Sequence, residues 1–114
     1  MPAFEAFDVV KVPFPYTDRP VRQRRPAVVV AAGPLTEQHG LLWGVMVTSA
    51  ENRGWHADVA VTDLGLAGLP TPSLVRCAKV ATIEAAYAES LGKLGADDRR
   101  RVGAQVLALL GQMR

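Results

Sequence analysis

The chain has 114 residues, 49% of them hydrophobic and 21% charged, and 13 Lys and Arg against 11 Asp and Glu give a formal net charge of +2. This is an ordinary globular composition, and the length suits one domain over residues 1–114 with a single core and little burial to spare. The lone cysteine, Cys77, excludes an internal disulfide and a multi-cysteine metal site. No apolar run approaches the roughly 20 residues of a membrane helix, and no basic-then-apolar leader opens the chain, so a cytoplasmic protein without membrane association is expected.

Strand signals dominate residues 7 to 83. Phe7 to Phe14 is β-branched and apolar. Pro26 to Ala32 is a continuous apolar run, as expected of a strand buried on both faces. Gly33-Pro34 breaks it, and Leu35 to Gly40, with His39, reads as a surface loop. Leu41 to Thr48 is a third strand, with Trp43 in its middle as a core or interface residue. Ala50 to Trp55 is a polar loop. His56 to Val61 alternates weakly, as an exposed strand would. Asp63 to Pro72 is turn-rich, and Ser73 to Ile83 reads as one or two more strands with a bend at Lys79. Several short strands between breakers indicate a small barrel or sandwich.

The period then changes. Val102, Val106, Leu109, Leu110 and Met113 mark one face of an amphipathic helix. Asp97 and Asp98 fall in its first turn, where they suit the helix dipole, and Gly95 can cap it. A helix from about Ala96 to Gly111 is predicted. Arg99-Arg100-Arg101 beside those acids reads as a solvated helix face.

Chemistry concentrates in Thr17 to Arg25, which carries Arg19, Arg22, Arg24 and Arg25 and no acid beyond Asp18. Arginine's planar fork matches phosphate oxygens, and a residue before proline is pushed towards extended geometry. Arg25, directly before Pro26, is therefore expected where the loop enters a rigid strand. An ordinary solvated basic loop is the alternative.

Asp8 to Asp18 reads DVVKVPFPYTD, and Arg24 to Val29 reads RRPAVV. These phrases resemble the opening of the MazF/PemK toxins of type II toxin–antitoxin systems. Val45-Met46-Val47-Thr48-Ser49 resembles that family's strand ending in Thr-Ser. Leu66 with Pro72-Ser73-Leu74-Val75-Arg76 resembles its "GL … S-x-V-R" segment, and Leu91-Gly92-Lys93-Leu94 its turn before a last helix. The resemblance runs in order over nearly the whole chain. It departs at Phe7, where the family often has glycine before the first aspartate.

The resemblance implies a mainly β fold with a C-terminal α-helix, a small SH3-like bent β-barrel of the CcdB/MazF type with five to seven strands. It implies a metal-independent, sequence-selective endoribonuclease acting on single-stranded RNA such as mRNA and leaving 2′,3′-cyclic phosphate and 5′-hydroxyl ends. Its partners would be a cognate antitoxin and a second copy of the chain, with no cofactor. The catalytic arginine and threonine map onto Arg25 and Thr48. If the second and third strands pair antiparallel, the start of one lies beside the end of the other, so these two would be neighbours. Candidate RNA contacts are Thr17, Arg19, Arg22, Gln23, Arg24, Ser49, Trp55, Ser73 and Arg76, with Trp55 a platform for base stacking. Acid–base roles stay open. Arginine, with a pKa above about 12, is a poor base, and His39 and His56 are rivals. Asp8 reads as structural. A gyrase-binding toxin and a catalytically silent nucleic-acid-binding barrel of the same superfamily are the competing readings, although a gyrase binder needs neither Arg25-Pro26 nor Thr48-Ser49.

Overall fold

The computed structural model describes residues 3–14 and 23–111. Two β-branched runs, β1 (Asp8–Phe14) and β2 (Gln23–Ala31), form an antiparallel pair in which Val12 faces Arg25 and Phe14 faces Gln23. Pairing with β1 extends β2 three residues before Pro26, where the apolar run alone would start it. The short helix α1 (Pro34–His39) follows, with proline in its first turn and Gly40 closing it at φ 68°; this segment was expected as a loop. Proline's fixed φ favours a helix start, and glycine accepts the left-handed cap.

β3 (Leu41–Ser49) ends in a 3-10 turn, Ala50–Asn52, and β4 is only Asp58–Ala60. The exposed strand expected from His56 is shortened because Ala57 sits at φ 74° and Asp58 Oδ2 accepts the Trp55 N–H, folding residues 55–58 into a turn. α2 (Leu64–Ala67) interrupts the glycine-rich stretch. β5 (Ser73–Glu84) is one long strand bent where expected: Val45 faces Val80 but Met46 faces Arg76, so Cys77, Ala78 and Lys79 bulge out. β6 (Glu89–Lys93) and α3 (Ala96–Leu110) complete the order.

The six strands form one antiparallel sheet, β4-β5-β3-β2-β1-β6. The fold is mainly β with a C-terminal helix, as expected, and the sheet is strongly bent with β4 and β6 as its two edges, so it does not close into a full barrel. Strand alternation buries both faces. Val9, Val28, Val45, Val47 and Val75 pack with Leu94 and Val102 of the helical side. Val10, Val12, Phe14, Ala27, Val29, Leu42, Met46 and Ile83 form a second cluster on the other face.

The end of α3 beyond Val106 stands away from this core. Val102 is fully buried, whereas Leu107, Leu109 and Leu110 are about half exposed or more. Met113 lies outside the described residues. Trp43, expected as core or interface, is 47% exposed. It lines an apolar groove of about 620 Å³ with Val45, Val80, Val106, Leu109 and Leu110. Cys77 reaches the same groove as an inert thiol: burial, helped by the charge of Asp58, pushes it up to about 11. No helix of the described residues is long and apolar enough to cross a membrane.

Candidate active site

Three strands in register build the site. Ala27 faces Met46, and Met46 faces Arg76. Side chains two residues apart share a face, so Arg25 (two before Ala27) and Thr48 (two after Met46) come to the same face as Arg76. All three line one cleft of about 380 Å³ together with Met46, Asn52, Arg53 and Lys79.

Arg25 is half-buried, and its Nε is buried without a hydrogen-bond partner. A buried guanidinium N–H left unpaired calls for an explanation, and an anion in the cleft would supply one. Thr48 is 8% exposed, and its Oγ1 accepts a hydrogen bond from Asn52 Nδ2 at 3.0 Å.

Arg76 is committed elsewhere. It is buried, donates from Nε and NH2 to the two carboxylate oxygens of Asp58 at 3.2 and 3.0 Å, and reaches the Asn52 carbonyl at 2.5 Å. Its guanidinium also lies 4.4 Å from the ring centre of Trp55. Asp58 neutralises Arg76, while Arg25, Arg53 and Lys79 bring three further cations to the cleft wall. Trp55 stands beside the cleft, half exposed.

The remaining sequence candidates are not gathered here. Arg24 alternates to the other side of β2, where it donates to the Lys11 carbonyl and pairs with Glu89 at 3.4 Å. Gln23 is exposed at the start of β2 and is absent from the cleft wall. Ser49 caps the 3-10 turn by accepting the Glu51 N–H, and Ser73 donates to the Thr71 carbonyl at 2.7 Å. Thr17, Arg19 and Arg22 lie outside the described residues. His56 is exposed in the turn before β4, and neither histidine lines the cleft. His39 sits before β3 at the end opposite Thr48, on the order of 20 Å away by strand rise. Asn52, Arg53 and Lys79 are not among the sequence-based site candidates, although the sequence marks a bend at Lys79; it reaches the cleft through the bulge in β5. Among the described residues no group of three or more His, Cys, Asp or Glu could hold a metal ion.

Residues 5–110 match the profile of the PemK-like, MazF-like toxins of type II toxin–antitoxin systems. The chain belongs to the PemK/MazF toxin family. No curated protein matches it. The fold is shared with MazF from Deinococcus radiodurans, at TM-score 0.77 and 24% identity over 98% of this chain and 100% of that one. A MazE–MazF complex from the same organism matches at TM-score 0.76 and 24% identity, covering 99% and 100%. A mycobacterial endoribonuclease in complex with its cognate antitoxin matches at TM-score 0.76 and 15% identity, covering 98% and 99%.

Proposed function

We propose that this PemK/MazF toxin is a metal-independent endoribonuclease that cuts single-stranded RNA, mRNA included, at selected sequences in the cytoplasm. The observation that carries the reading is the meeting of Arg25 and Thr48 in one cationic cleft where the Arg25 Nε has no partner. The names of the distant structural relatives, an endoribonuclease among them, point the same way.

In the proposed reaction the ribose 2′-hydroxyl attacks the adjacent phosphorus. Its proton leaves, the bond to the 5′-oxygen breaks, and that oxygen takes up a proton. The products are a 2′,3′-cyclic phosphate and a 5′-hydroxyl. The Arg25 guanidinium stabilises the charge that grows on the phosphorane. The Thr48 hydroxyl shares that load. Trp55, half exposed beside the cleft, offers its ring to a base, and Arg53 and Lys79 meet flanking phosphates. Arg76, held by Asp58, shapes the cleft in place of direct contact. Arg19 and Arg22, outside the described residues, are proposed to add further phosphate contacts.

The apolar groove at Trp43 is the proposed seat of a second copy, giving a two-fold homodimer. Trp43, Val80, Leu109 and Leu110 stay exposed around it, and a contiguous exposed apolar patch marks an interaction site. A cognate antitoxin would lay an acidic, apolar segment over the basic cleft and block Arg25.

The test is incubation of the purified protein with a mixed RNA, with and without chelator, followed by mapping of the fragment ends. Cleavage should persist in chelator. Arg25→Ala should lose on the order of 100-fold or more in rate, as for a main transition-state donor, and Thr48→Ala less. Neither change should shift the thermal melt much. Complete inhibition by chelator, or parental activity in Arg25→Ala, would refute the mechanism.

A further inference from the structure

We propose that Asn52 is a positioning residue that sets the direction of the Thr48 hydroxyl, making Thr48 a hydrogen-bond donor to the scissile phosphate. The inference rests on the ribonuclease reading of the same cleft and specifies how that cleft is organised.

A threonine hydroxyl carries one hydrogen and two lone pairs, whereas an amide Nδ2 carries only hydrogens. Asn52 Nδ2 donates to Thr48 Oγ1 at 3.0 Å. One lone pair is thereby used, and the Thr48 hydrogen must turn away from Asn52, since two hydrogens facing each other repel. Among the described residues nothing accepts that hydrogen. Thr48 and Arg25 line the same cleft, so the hydroxyl proton is presented where a phosphate oxygen would sit. With the opposite polarity, Thr48 would offer lone pairs to an anion and repel it.

Asn52 lies on an exposed turn, and a separate set of contacts keeps it in place. Its backbone carbonyl accepts from Arg76 NH2. Arg76 is gripped at two points by Asp58 and stacked against Trp55. Asp58 Oδ2 also accepts the Trp55 N–H at 3.2 Å. Asp58, Arg76 and Asn52 thus form a path from the core of the sheet to the Thr48 hydroxyl. Because Arg76 holds the backbone of residue 52, changes to the Asn52 side chain leave the turn itself anchored.

The experiment is a double-mutant cycle between residues 52 and 48, read as steady-state RNA cleavage over a range of RNA concentrations. Asn52→Leu removes the donor without adding charge, and Asn52→Asp replaces it with an acceptor that draws the Thr48 hydrogen away from the cleft. In the parent background Asn52→Asp should slow cleavage by about 10- to 100-fold, the worth of one hydrogen bond to a charged group, with Asn52→Leu milder. The loss from Asn52→Leu should fall on kcat with KM little changed. In the Thr48→Ala background Asn52→Leu should cost almost nothing, because the hydroxyl it directs is gone. Melts of the Asn52 variants should match the parent's. Undiminished activity in Asn52→Leu, a loss confined to KM, or losses that multiply in full with Thr48→Ala would overturn the inference while leaving the ribonuclease reading standing. Absence of cleavage by the parent protein would overturn both.

Discussion

At the scale of single residues, Asp98 shows how a charge can be structural and buried at once. Its side chain is 1% exposed, yet it accepts from Thr62 N and Thr62 Oγ1 at 2.9 Å each and from Asp63 N at 3.4 Å, and Arg101 pairs with it. Burial raises its pKa, but these donors outweigh burial and hold the carboxyl below the usual carboxylate range. A lowered folded pKa stabilises the protein above the unfolded value of about 3.9, and that stabilisation is lost as pH falls through the folded pKa. Asp98→Ala should therefore cost about 2 kcal/mol at neutral pH by stranding its donors. The gap between parent and variant melts should narrow as the pH drops below about 4. A gap unchanged down to the pH where the parent itself unfolds would show that the charge of Asp98 contributes nothing. Phe7 makes a related trade. Its φ of 73° is a glycine-like conformation, matching the glycine common in the family. Its ring packs against Gly103, which has no Cβ to displace it, and lies 5.2 Å from the Arg99 guanidinium.

At the scale of elements, two contacts fix the frame around the cleft. α2 touches β6 through glycines on both sides: a Cβ on Gly92 would run into the Leu66 carbonyl, and one on Gly68 into the Leu91 carbonyl. Since both obstacles are backbone, neither can swing aside. Gly92→Ala should lower stability by about 1–3 kcal/mol, as overpacking does, seen as a lower denaturant midpoint at an unchanged slope. A neutral result would mean that α2 shifts freely against β6. The turn over residues 50–58 is tied to β5 by the Arg76–Asp58 pair, whose side chains are only 9% and 10% exposed. Removing one partner of a buried pair strands the other charge, so Asp58→Ala should destabilise by about 3 kcal/mol. It should also slow cleavage, because the turn carries Asn52. A melt within one degree of the parent's would contradict this.

At the scale of the whole molecule, the apolar groove and the cationic cleft make separate demands. A dimer built on the groove predicts a melting temperature that rises with protein concentration. Leu110→Lys or Trp43→Lys should give a monomer in sedimentation and remove that dependence, because an ammonium would be buried without a partner. An unaltered dimer in both variants would move the interface to another face. For the cleft, log affinity for single-stranded RNA should fall with log salt by about 0.7 for each engaged phosphate. Replacing Arg53 and Lys79 together with alanine should flatten that slope by about 1.4. An unchanged slope would put the RNA elsewhere.

The sequence by itself determined the first five strands along the chain, the start of α3 at Ala96 and the bend at Lys79, whereas β6 (Glu89–Lys93) formed where a turn was expected. The features it determined follow from local causes: β-branched runs, glycine and proline breakers, and a change of hydrophobic period. It also picked out Arg25, Thr48 and Arg76, through the phrases around them. Tertiary structure alone decided what those residues face. Alternation along β2 sends Arg25 to the cleft and Arg24 to Glu89 on the other side, a one-residue distinction invisible in a run of arginines. Ser49 and Ser73, matched by motif, spend their hydroxyls on turns. Asn52 and Lys79 had no pattern to betray them, because a turn and a bulge bring them in. Spacing along a chain reports which elements form, whereas register across strands and the competition for hydrogen-bond partners exist only once those elements have packed.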